Sequence, residues 1–264
     1  MCTNDKFDSV ATTIARLYNA RARRLFDPSR YYETVRRQID FLEEFIPSAD
    51  SAILDVGCGR GFHLAELCRR GYRSLVGIDL SKESIAVARR TLTAFEGGNL
   101  AKLRVADFRT FEFWREFDVV YSFLSCFGSF GRAGDCTFLK RVKLVLQPRG
   151  RFVLHLFNPF NLASILGRHE VHYSRSSEIK TITTVRTTAR GRRLLINQVD
   201  VLATGKKQRL LTERLRLYRI GELREMFFNA ELRIQRLYGS LDSSNFPRNY
   251  RQTSDALVVV AGPR

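Results

Sequence analysis

The stretch Ile53-Leu54-Asp55-Val56-Gly57-Cys58-Gly59-Arg60-Gly61 limits what this chain can become more than any other. An apolar run ends at Val56, glycines follow at every second position, and Phe62 to Arg70 then sets Leu64, Leu67 and Cys68 on one side of a helix. Glycine at these places lets the backbone turn sharply and come close to a ligand, because no Cβ stands in the way. Free N–H groups of the first helical turn face the same point, so this strand, turn and helix predict a site for a nucleotide-like cofactor.

Spacing narrows the cofactor. A dinucleotide fingerprint needs G-x-G-x-x-G, and here Phe62 stands where its third glycine belongs. No Gly-Lys-Ser/Thr follows, which excludes a P-loop. An acidic residue followed by G-x-G-x-G, as in DVGCGRG, resembles the first motif of the class I S-adenosylmethionine (SAM) dependent methyltransferases.

The rest of the chain extends the resemblance. Ser74 to Asp79 reads as a second strand ending in a carboxylate, and Ser81 to Ala94 as a helix capped by Ser81. An acid about twenty residues past the glycine turn suits the paired hydroxyls of a ribose, which makes Asp79 the candidate; a helix-capping aspartate is the other reading. A third strand, Leu103 to Ala106, ends in Asp107-Phe108, and the resemblance implies that these meet the adenine amino group and ring. It also implies cofactor contacts from Asp55, Gly57, Cys58, Gly59, Gly61, Leu80 and Ser122.

A fourth strand, Asp118 to Phe123, leads into a loop at the carboxyl edge of the sheet, where open α/β folds place ligands. Phe127 in that loop either walls the acceptor site or packs. After a helix from Phe138 to Leu146 and a turn at Pro148-Arg149-Gly150, Arg151 to Phe157 is the fifth strand, carrying His155 with Asn158 beyond it. His155 is read as a general base or a core histidine, and Asn158 as a substrate contact.

From Glu170 to Tyr218 the pattern alternates, the mark of antiparallel strands, and Arg216 on the last of them is a candidate contact for an anionic substrate or a charge that guards an edge. Ile220 to Asn229, Glu231 to Tyr238 and Asp255 to Ala261 then read as helix, strand and strand. Two helical segments precede the glycine unit, roughly Val10 to Phe26 and Ser29 to Phe45, and Tyr18 in the first is a candidate for the pocket mouth.

The expected fold is therefore α/β: a seven-stranded, mostly parallel doubly wound sheet of the class I methyltransferase kind, with an inserted antiparallel β lid. Residues 1–50 are expected to form a helical cap, 51–168 with 219–264 the SAM-binding Rossmann-like domain, and 169–218 the lid. The expected function is transfer of a methyl group from SAM to a nitrogen or oxygen of a small molecule by a monomer or homodimer.

A formal charge of +17 raises nucleic acid as the alternative acceptor. The charge is spread over pairs such as Arg192-Arg193 and Lys206-Lys207, and the loop after the fourth strand lacks the N-P-P-Y or D-P-P-Y residues that hold a flipped base. A third reading, a non-catalytic binding protein, predicts eroded cofactor residues, whereas the glycines and aspartates are intact. Five cysteines without a C-x-x-C pair fit free thiols, and His169 and His172 lack a third ligand, so no metal is expected. With no leader and no apolar run of bilayer length, the expectation is a cytoplasmic protein without a membrane segment.

Overall fold

The structure, a computed structural model, describes residues 28–94, 101–113, 117–123, 127–161, 170–174, 177–187, 193–203, 206–241 and 249–264. Tyr18 and the first helical segment lie outside them.

The glycine unit forms as its sequence dictates. Strand β1 (Ala52–Val56) is buried along its whole length and runs through the glycine turn into α2 (Phe62–Arg69). Strand β2 (Ser74–Asp79) follows, and then α3 (Lys82–Thr93), whose first turn is capped by Ser81, its hydroxyl accepting from the Ser84 N–H at 2.9 Å. Strands β3 (Lys102–Val105) and β4 (Phe117–Phe123), helix α4 (Gly131–Val145) and strand β5 (Leu146–Phe157) continue the alternation. Helix α5 (Ile220–Asn229) and strands β10 (Leu232–Tyr238) and β11 (Ala256–Pro263) close the chain, and α1 (Pro28–Glu43) precedes it all.

Seven strands form one sheet in the order β10-β11-β5-β4-β1-β2-β3. The pairs among β3, β2, β1, β4 and β5 are parallel, whereas β11 runs antiparallel to both β5 and β10. From β1 the chain builds outward to β3 and then returns to β4 on the other side of β1. The carboxyl ends of β1 and β4 therefore flank the switch point at which such sheets bind ligands. Between β5 and α5 a second sheet, β6 (Glu170–Ser174), β7 (Ser177–Thr187), β8 (Arg193–Ala203) and β9 (Lys206–Leu217), is antiparallel throughout.

Strand side chains alternate between two cores. Leu54, Val56, Val120, Phe152 and Leu154 meet α4 and α5 through Phe138, Leu223, Met226 and Phe227. Ile53, Val119, Tyr121 and Val153 meet Val35, Ile39 and Leu42 of α1, Leu64 and Leu67 of α2 and Ile85 of α3. Arg70, just past α2, fastens α1 to this second layer: its guanidinium reaches Asp40 at 2.7 Å, Glu43 at 2.5 Å and Glu66 at 2.8 Å.

Two boundaries differ from the pattern-based expectation. Helix α4 begins at Gly131 rather than Phe138, and β5 begins at Leu146 with no separating turn. Leu146 already pairs with Phe117, and the register then slips before Arg151 pairs with Val119, so Pro148-Arg149-Gly150 is an outward bulge in a strand.

Candidate functional site

The glycine turn sits at the carboxyl end of β1, tied to β2. The N–H groups of Gly57 and Cys58 donate to the Ile78 carbonyl at 2.8 and 3.1 Å, and Gly61 N–H donates back to Cys58 at 2.9 Å. Gly57, Gly59 and Gly61 all adopt left-handed backbone, with φ of 79°, 52° and 77°. The last two serve different ends. A Cβ on Gly61 would stand 3.0 Å from the Ala88 Cβ, so its bareness lets α2 lie against α3; a Cβ on Gly59 would meet nothing within 4 Å, so its bareness opens onto free space. No side chain caps α2, which leaves its first-turn N–H groups directed toward that space.

Asp79 is the hinge of this arrangement. One carboxylate oxygen accepts from Gly59 N–H at 2.9 Å and the other from Ser81 N–H at 2.7 Å. Each oxygen keeps a further lone pair for a ligand hydroxyl. Burial raises its pKa, and the two backbone donors oppose the rise. Leu80, half-buried, follows at once.

Asp55 lies beneath the turn, buried, with one carboxylate oxygen unpartnered. Burial pushes its pKa up to about 8; the nearby Tyr121 phenol offsets part of the rise and Asp79 adds to it. Neither the Tyr121 hydroxyl nor that oxygen completes a hydrogen bond, and the buried Ser122 hydroxyl is also unpartnered. Polar atoms orphaned at adjoining strand ends, beside a bare Gly59, fit a ligand that brings cationic or hydroxyl donors of its own. The residues present fit a group such as SAM, which Asp55, Gly57, Gly59 and Asp79 would hold. Cys58, read as another contact, is buried in the core between α2 and the sheet.

Beyond β3 the carboxylate of Asp107 is engaged by Arg109. Nε of Arg109 lies 3.0 Å from one oxygen and Nη2 2.5 Å from the other, and the Arg109 N–H adds a bond of 2.9 Å. The guanidinium stacks 4.0 Å from the centre of the Phe130 ring. Phe108 is buried against Phe138 and Phe113. Any contact of Asp107 with a base edge must therefore use the lone pairs that Arg109 leaves.

A second hollow, the candidate for an acceptor, lies around the exits of β4, β5 and β9. A slot of about 20 Å³ is lined by Phe127, His155, Phe157, Arg216 and Tyr218, with Leu215 and Leu217 behind. That volume admits one group the size of a water molecule or a methyl. Phe127 is buried, its ring 5.4 Å from Tyr218 and 5.7 Å from Phe138. Tyr218 donates to Asp135 at 2.5 Å, and the other oxygen of Asp135 accepts from Gly128 N–H at 3.0 Å. Arg216 N–H donates to the Gly128 carbonyl at 2.9 Å, and a Cβ on Gly128 would collide with the Arg216 carbonyl. One carboxylate thus joins the end of the inserted sheet to the loop after β4.

His155 is buried, with its Nδ1 unpartnered and its ring edge-on to Phe123. Burial, helped by the nearby His63, holds its pKa down at about 3, and burial alone takes His63 to about 4. The imidazole is neutral at any ordinary pH. His63, which sequence reasoning passed over, meets Gln38 of α1 at 2.7 Å.

Asn158 requires a correction. It is fully buried and its amide donates to the carbonyls of Ser254 at 2.6 Å and Gln252 at 3.0 Å, while its carbonyl accepts from Phe160 N–H and the Tyr250 hydroxyl. Its polar atoms hold the segment before β11 and face no ligand. Arg216 is also committed, pairing with Glu222 at 2.6 Å with its guanidinium over the Tyr218 ring, so it is no free anion receptor. Arg109, Asp135 and Tyr218 were likewise invisible in the sequence; only the D-x-R spacing of Asp107 and Arg109 offered a local cue.

Residues 53–150 match the family described as a methyltransferase domain. The fold superposes on the CcbJ methyltransferase of Streptomyces caelestis with a TM-score of 0.71 at 18% identity, over 87% of this chain and 95% of that one. CalS10 of Micromonospora echinaspora, an amino pentose methyltransferase solved with SAM bound, is similar to this chain over 98% of its length and 96% of CalS10, with a TM-score of 0.57 and 18% identity. Among curated proteins, EEF1A lysine methyltransferase 2 of Danio rerio is 38% identical over 76 residues, which are 29% of this chain and 32% of that protein. The chain thus spans about a third of the length of the curated relatives it matches. Among the described residues no helix is long and apolar enough to cross a membrane, and no group of acidic, histidine and cysteine side chains could hold a metal.

Proposed function

We propose that the chain is a SAM-dependent methyltransferase that delivers the methyl group to a small-molecule acceptor, at an amine nitrogen. The observation that carries this reading is the pairing of a bare, left-handed Gly59 with the Asp79 carboxylate that accepts its N–H, at the switch point of the sheet. When bound, SAM supplies an activated methyl on a sulfonium that departs as a neutral thioether. The residues around it then need chiefly to align the acceptor and exclude water.

The nitrogen preference rests on His155. A hydroxyl acceptor wants a base near neutrality, whereas this imidazole has a pKa of about 3 and no carboxylate among the described residues bonds it. It orients rather than deprotonates. An amine that arrives uncharged needs no base, and the likeness to an amino pentose methyltransferase supports the same class. The relatives named for EEF1A lysine favour a second reading, in which the amine belongs to a protein.

Calorimetry with SAM tests the cofactor site: the wild type is expected to bind and Asp79→Ala to lose binding. Absence of binding in the wild type would overturn the enzyme reading. Tritiated methyl from SAM, offered to a small-molecule extract and to a protein extract in parallel, separates the two acceptor classes.

A further inference from the structure

A second cavity belongs to neither the cofactor turn nor the slot between β5 and β9. It is a cleft of about 750 Å³ on the outermost strand, β10, where α5 stops short of covering the strand's apolar side. Its floor is Phe227, Leu232, Ile234 and Leu237, and Phe228 stands at its lip, 57% exposed. Around it lie Arg224, Arg233, Arg236 and Arg264, all exposed, and none joins an ion pair among the described residues. The acids of α5 do not answer them: Glu225 pairs with Arg132 at 2.7 Å and Glu222 with Arg216 at 2.6 Å.

We propose that this cleft is a docking site for an acidic amphipathic helix of a protein partner. Charge selects an anionic occupant, since four unneutralised arginines surround one apolar trough in a chain of net charge +17. The floor selects a protein over a nucleic acid. It is mainly aliphatic, and the Arg264 guanidinium lies 4.2 Å over the Phe228 ring, which occupies a face on which a base would stack.

The backbone selects a helix. A strand added to β10 would need a continuous row of outward N–H and C=O groups, but the register slips between Ile234 and Arg236 and the Leu237 carbonyl already accepts from Tyr250 N–H at 3.2 Å. An occupant that satisfies its own backbone, with apolar side chains in the trough and carboxylates toward the arginines, meets every condition.

Fluorescence anisotropy tests the site with three labelled probes: a helical peptide with leucine at helical spacing flanked by glutamate, the same peptide with lysine for glutamate, and oligouridine. The glutamate peptide is expected to bind the wild type most tightly, and Arg224→Glu with Arg233→Glu to weaken it by roughly tenfold or more. SAM affinity, measured on both proteins, is expected to be equal, which shows that the exposed substitutions leave the fold intact and keeps the cofactor question separate. Equal binding of the two peptides, or indifference to the charge reversal, overturns the proposal. Tighter binding of oligouridine that the same reversal abolishes overturns it too, in favour of a nucleic-acid surface.

Discussion

Asp55→Asn is expected to stabilise the ligand-free protein at neutral and alkaline pH and to do little near pH 4. The folded carboxyl titrates at about 8 against an ordinary value of 3.8, chiefly because the chain buries it. Across that window the folded state holds a proton that the unfolded state has released. The stabilisation is therefore complete below the ordinary carboxylate pKa and is lost as pH rises through the folded one. Each unit removes about 1.4 kcal/mol, so the whole window has a ceiling of about 6 kcal/mol, comparable with the total stability of many domains. Asparagine carries no such proton linkage. Urea denaturation of both proteins at pH 5 and pH 8 measures the effect. Working with the difference between wild type and variant cancels the contribution of the buried histidines, which runs the other way. A stability gap that stays constant between those pH values would refute the argument. SAM in excess is expected to flatten the wild-type slope, because a cationic ligand beside Asp55 favours its ionised form.

Three more outcomes follow from the geometry. Gly61→Ala is expected to cost about 2–4 kcal/mol by thermal unfolding, because φ is 77° and the new methyl would stand 3.0 Å from Ala88, whereas Gly59→Ala, strained by its φ of 52° but meeting no atom within 4 Å, should cost only about 1–2 kcal/mol yet lose SAM affinity in calorimetry. Asn158→Ala should lower stability by about 2–3 kcal/mol, leave SAM affinity unchanged and speed amide exchange over residues 249–255, since it strands the carbonyls of Ser254 and Gln252. His155 and His63 should show no imidazole titration by NMR above pH 5, and because the unfolded chain takes up protons at both near pH 6.5, they make stability fall as pH drops below that value.

How much of this could be read from the chain depends on how far apart the interacting residues lie. β2 and the helix over Ile220–Asn229 appear where their patterns put them, because strand alternation and helical stripes are local signals. The glycine turn was legible for the same reason: φ above zero is a demand that one residue type meets almost alone. Asp79 keeps both of its sequence readings open, holding Ser81 N–H as a capping residue would while accepting from Gly59 N–H at the turn. Boundaries failed where register rather than propensity decides, as at Leu146, which extends β5 by pairing with Phe117 across a bulge.

The acceptor side was opaque because its bonds close over long stretches of chain. Tyr218 and Asp135 are 83 residues apart, and Asn158 reaches a carbonyl 96 residues ahead, so no spacing rule could have joined either pair. Those same bonds explain why residues that look like substrate contacts are not free to be so. Asn158 and Arg216 carry the groups a ligand would want, but each side chain is itself largely buried and already bonded within the chain, so its own desolvation is what the bond compensates. Among the buried polar atoms that remain open, those of Asp55, Tyr121 and Ser122 lie toward the ends of β1 and β4 and Nδ1 of His155 lies on β5, while the Ser129 hydroxyl lies in the loop after β4. Orphaned atoms that converge on a switch point mark a binding site better than residue type does, because a fold leaves a buried polar group unpaired only where something outside the chain can pair it. By that criterion the ends of β1 and β4 are where a polar ligand would complete the chain's open bonds.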